Sequence, residues 1–60
     1  MVAFNQIRRW KPQIKEHGYY GVFVVVEIVS RIDCKIRYLD NHALKIHETD
    51  FVDGYSEILN

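Results

Sequence analysis

One cysteine, one proline, three glycines and no net charge in 60 residues close off several classes at once. Cys34 stands alone, so no disulfide can form within the chain, and the paired thiolates of common zinc frameworks are missing. No apolar run exceeds Val22 to Val26, far short of the roughly 20 residues that a membrane-spanning helix needs. With no apolar leader segment either, a cytoplasmic, reducing environment is the expected one. Eight Lys plus Arg balance eight Asp plus Glu, so no overall charge draws the chain towards nucleic acid or membrane. The dispersed glycines form no phosphate loop, dinucleotide fingerprint or nucleophile elbow. A chain this short buries only about 60 % of the surface it exposes when unfolded. It makes a single domain over residues 1–60 with little room for a substrate pocket, so neither an enzyme nor a cofactor is expected. The opening methionine and the lack of any processing signature are read as a complete small gene product.

What is present is apolar and strand-forming. At 48 % hydrophobic and 27 % charged residues, the composition is that of a chain that folds. Phe4, Ile7 and Ile14, with Trp10 nearby, recur at roughly helical spacing among Arg8, Arg9, Lys11 and Lys15, which predicts a helical segment over about residues 3–17. Pro12 either kinks it or opens a second short helix, and Gly18 supplies a left-handed stop. A β meander then occupies about residues 19–59. Tyr19 to Val29 is rich in β-branched and aromatic residues with both faces apolar, so each side asks for cover. Residues 31–38 alternate cleanly, with Ile32, Cys34, Ile36 and Tyr38 inward and Arg31, Asp33, Lys35 and Arg37 outward. After a turn at Asp40-Asn41, a strand from Ala43 to about Glu48 is expected to face Leu44 and Ile46 in, Lys45 and His47 out. Asp53-Gly54 reads as a turn that closes a last hairpin between Phe51-Val52 and Tyr55 to Leu59. The class these elements define is α+β, an N-terminal helical segment followed by a curved antiparallel sheet of four to five strands.

Gly21 to Ser30 as a long strand, Cys34-Lys35-Ile36-Arg37-Tyr38-Leu39-Asp40-Asn41 as a strand entering an acidic turn, and Ala43 to Phe51 as its return resemble the SH3-like small barrels, in particular Tudor and KOW-type domains. The resemblance covers about half the chain and implies a small-barrel architecture. It carries over no ligand. The family's aromatic cage is represented near the matching turn by Tyr38 alone, and Tyr19, Tyr20 and Phe23 would have to supply the rest.

Catalytic and metal chemistry have little to stand on. His42 and His47 are five apart and fall on opposite faces of a strand, and His17 lies across a different junction, so no metal site is expected. Cys34, inward between Ile32 and Ile36, reads as a small hydrophobe rather than a nucleophile. Charge is more informative because it is segregated. Residues 1–20 carry Arg8, Arg9, Lys11 and Lys15 against Glu16. Residues 39–60 carry Asp40, Glu48, Asp50, Asp53 and Glu57 against Lys45.

Three roles follow as expectations, all non-catalytic. The first is docking on a protein partner, such as a nucleic-acid-handling host enzyme, through an acidic and aromatic surface of Trp10, Tyr19, Tyr20, Asp50, Asp53 and Glu57. In size and character such a chain resembles the small modulators or inhibitors encoded by phages and mobile elements. The second is nucleic-acid binding through Arg8, Arg9, Lys11 and Lys15 together with the wet face Arg31, Lys35 and Arg37. The third is a structural subunit or homodimer that covers the two-sided apolar strand. The opposite charges of the two halves can also simply neutralise each other within the fold.

Overall fold

The computed structural model describes residues 1–60 as a five-stranded antiparallel sheet with one short helix near the C-terminus. In chain order the elements are β1 (Ile7–Trp10), a 3-10 segment (Pro12–His17), β2 (Val22–Ile28), β3 (Asp33–Tyr38), β4 (Leu44–Glu48), α1 (Thr49–Tyr55) and β5 (Ser56–Ile58). The sheet order is β4-β3-β2-β1-β5, and α1 connects the two edge strands.

The expected N-terminal helical segment, and with it the α+β class, is overturned: this is a mostly β protein. β1 is an interior strand, paired with β2 through Ile7 to Val24 and Arg9 to Val22, and with β5 through Arg9 to Glu57. Its burial alternates, with Arg8 and Trp10 inward and Arg9 out. Phe4, counted on the helical stripe, is 65 % exposed. Two neighbouring strands satisfy the backbone of β1 on both sides, and this non-local pairing outweighs a weak local periodicity. Asn5, at φ 70, and Pro12 further interrupt any helix. What remains helical is six residues of 3-10 geometry, opened by Pro12 and stopped by Gly18 at φ 91.

A β-bulge between Val25 and Glu27 changes the facing of the far end of β2, while Val22 and Val24 stay half-buried on the outer face. Before it Phe23 and Val25 point inward, and beyond it Glu27 opposes Lys35 while Ile28 opposes Cys34. The extra residue reverses which positions face the core.

The faces of β4 are opposite to those expected. Tyr38 N donates to Ala43 O at 2.9 Å, and this pairing matches inward Cys34 and Ile36 with His47 and Lys45. Leu44 and Ile46 are therefore turned out, 57 % and 58 % exposed. One residue more or less in the connecting turn flips every side chain of a strand, and the turn geometry, with His42 at φ 61, is not encoded in the apolar pattern. The turn expected at Asp53-Gly54 is likewise replaced by α1, which drives Val52 into the core between the two sheet edges. The core comprises Phe23, Val25, Cys34, Ile36 and Val52, all fully buried, with Trp10, Ile14 and Val2 around them.

Candidate functional site

The inward face of the sheet ends in an aromatic cluster. Trp10 is 3 % exposed and packs against Tyr19, Phe23, His47 and Phe51 at ring-centroid separations of 4.7 to 5.6 Å. Its Nε1–H donates to Tyr38 Oη at 2.8 Å, which fixes the Tyr38 ring at the rim. The chain is extended after Gly18, so the successive tyrosines diverge. Tyr19 joins the cluster, while Tyr20 is left 61 % exposed.

Tyr20 separates two open grooves. One, of about 200 Å³, is bounded by Gly18, Tyr20, Tyr38, Asp40 and Lys45, among others. The other, of about 400 Å³, is bounded by Tyr20, Arg9, Lys11, Pro12 and Lys15, with Trp10 and Tyr19 at its floor. Gly21 sits at φ 100 beside the Tyr38 ring, where any side chain would be strained. Lys15 and Lys45 are exposed and belong to none of the molecule's ion pairs. Lys11 donates to the Gly54 carbonyl at 3.2 Å and has no carboxylate partner. Asp40 is the one carboxylate on either groove wall.

The acidic and aromatic surface read from sequence does not come together. Trp10 and Tyr19 lie in the aromatic cluster. Asp53 is bound by the Met1 ammonium at 3.0 Å and by Arg8 at 3.5 Å. That ammonium first, and Arg8 second, holds the Asp53 carboxyl below its ordinary value. Glu57 pairs with Arg9 at 3.1 Å. Only Asp50 and Tyr20 of that set are exposed and unpaired.

The basic set also divides. Arg8 is 2 % exposed and turned inward, Arg9 is paired, and Lys35 is held by Glu27 at 3.2 Å. Arg31 lies at the β2–β3 turn and Arg37 on the outer sheet face. Lys11 and Lys15 remain, joined by Lys45, which the charge pattern shows only as the lone base of the acidic half of the chain.

Cys34 is fully buried, and burial pushes its thiol up from the ordinary value, which suits a packing role. His47 carries a different consequence. Burial, and secondarily Lys45, lowers its pKa from 6.5. The unfolded chain therefore takes up this proton first as pH falls, so the contribution to stability is whole above about pH 6.5 and is lost progressively below it. The urea midpoint is expected to fall between pH 7.5 and 5.5 in the native chain and to flatten in His47→Phe. An unchanged slope in the variant would assign the effect elsewhere.

Comparison with protein-family models, curated proteins and solved structures yields no match for this chain.

Proposed function

We propose that this chain is a non-catalytic binding domain that holds single-stranded nucleic acid across the face centred on Tyr20. The observation that carries this reading is an exposed aromatic ring standing between two grooves, bordered by Lys11, Lys15 and Lys45, none of them paired to a carboxylate. A base stacked on an exposed ring contributes about 1–3 kcal/mol, and cations along the groove take the flanking phosphates. With a formal net charge of zero the attraction is local, so the affinity is modest and falls readily with salt.

Fluorescence anisotropy of a labelled mixed-sequence oligonucleotide of about 16 nucleotides tests this. Three lysine–phosphate contacts give a fall of about 2 log units in affinity per log unit of salt, at about 0.7 per contact on a single strand. Lys15→Gln and Lys45→Gln are each expected to lower that slope by about 0.7. Tyr20→Ala weakens binding roughly 5- to 150-fold with little change of slope. No binding at low salt, or binding indifferent to all three substitutions, overturns the reading and leaves a protein partner as the ligand to seek.

A further inference from the structure

The opposite face of the sheet and its β4 edge lead to a separate conclusion. Ala43 faces β3 in the ladder, since its carbonyl accepts from Tyr38 N. By alternation Lys45 and His47 also direct their backbone groups to β3, and those of Leu44 and Ile46 point away from the sheet. No backbone bond outside the regular elements reaches either residue. β4 has an unbroken register and no proline, so among the usual devices that blunt an edge strand it lacks a bulge and a proline and carries one inward lysine, Lys45. Its outward side chains, Leu44 and Ile46, are apolar and more than half exposed.

We propose that β4 pairs antiparallel with β4 of a second copy about a two-fold axis at Ile46, joining two five-stranded sheets into one. The choice of a second copy rests on charge. On the outer face Arg37 lies beside Leu44, Lys35 beside Ile46, and Asp33 beside Glu48, so this ladder is basic at one end and acidic at the other. Arg37, Asp33 and Glu48 take part in no ion pair within the chain. The two-fold turns one ladder end for end against the other. Glu48 of the second copy then lies opposite Leu44, about 10 Å or two strand spacings from Arg37, within the combined reach of the two side chains. On the inner face the same register sets Lys45 opposite His47 of the second copy. The alternative register that pairs Leu44 with Ile46 would set Lys45 against Lys45. Zero net charge adds no general repulsion between copies.

The test is sedimentation equilibrium of the full chain from low micromolar to millimolar concentration. The expected mass rises from 7.2 kDa to twice that value. Ile46→Lys, which puts an ammonium on the axis opposite its own copy, is expected to stay at monomer mass with unchanged far-ultraviolet circular dichroism, since Ile46 contributes nothing to the buried core. Arg37→Glu, which loses two exposed ion pairs per dimer and sets like charges in their place, is expected to raise the dissociation constant by more than the roughly 2- to 30-fold of the lost pairs alone. Adding Glu48→Arg to that variant is expected to restore it. Monomer mass throughout, a dimer that survives Ile46→Lys, or no recovery in the double variant overturns the proposal. Ile46 and Arg37 lie on the sheet face away from Lys45, so these outcomes are separable from the fate of the nucleic-acid reading.

Discussion

Trp10→Ala is expected to remove a third or more of the chain's folding stability. Trp10 is 3 % exposed, touches four other rings and orients Tyr38 through its Nε1–H. Truncating a buried tryptophan costs about 3–5 kcal/mol through lost transfer energy and the cavity left behind. A domain of 60 residues has only about 3–9 kcal/mol in total at typical values per residue. Trp10→Phe keeps a ring in the cluster but strands the Tyr38 hydroxyl at the rim, where water can reach it, and is expected to cost about 1–2 kcal/mol. Urea titration followed by circular dichroism measures both. Trp10 is the only tryptophan, so its emission in the parent chain is expected to be blue-shifted and to move red in the same transition. A Trp10→Ala variant that loses less than about 1 kcal/mol, well under the cost of truncating a buried tryptophan, would show that the core is organised around other residues.

Arg8→Ala has the next largest expected effect, about 2–4 kcal/mol of destabilisation. The guanidinium is buried, with Nε donating to Ser56 Oγ at 2.7 Å, Nη1 to Gln6 Oε1 at 2.8 Å and Nη2 to Ser56 O at 3.2 Å. Ser56 Oγ donates in turn to the Val52 carbonyl. β1, β5 and α1 are thus tied through one side chain. Asp53 is 47 % exposed, so it rehydrates when Arg8 is removed, and the penalty falls short of that for a stranded buried charge. Arg8→Met retains much of the packing volume without the charge, and is expected to recover half or more of the loss. Denaturant midpoints of the two variants separate packing from hydrogen bonding. Equal losses in both would place the whole effect in the polar network. Neither variant should alter the salt dependence of oligonucleotide binding while the protein remains folded, because Arg8 presents no charge to the groove.

These two residues also show where sequence reasoning misplaced function. Trp10 was a candidate partner anchor and Arg8 a candidate phosphate contact on the strength of residue type, since exposed tryptophan and arginine are characteristic of binding surfaces. Exposure is what residue type does not report. Arg8 faces inward because Ser56, 48 positions later, supplies its acceptors, and Trp10 because Tyr19, His47 and Phe51 converge on it. Tyr20, Lys11 and Lys15 are identifiable as surface candidates from the sequence, and Lys45 also reads as outward there, but only the fold sets Lys45 on the same groove as Tyr20.

By itself, the sequence determined the strand character of β2 and β3, the inward facing of Cys34 and Ile36, and the left-handed stop at Gly18. Each follows from local chemistry: β-branching, a period of two, or a backbone angle that suits glycine. Ile32, on the same alternation, is 65 % exposed, and the two apolar faces of β2 left the inward side of that strand undecided. The tertiary structure alone decided that Ile7–Trp10 is an interior strand, that Leu44 and Ile46 face outward, and that Thr49–Tyr55 is a helix instead of the arm of a hairpin. The physical reason is common to all three. Strand identity, facing and closure depend on hydrogen bonds and packing between segments distant in the chain, and where local preference is weak those non-local terms prevail.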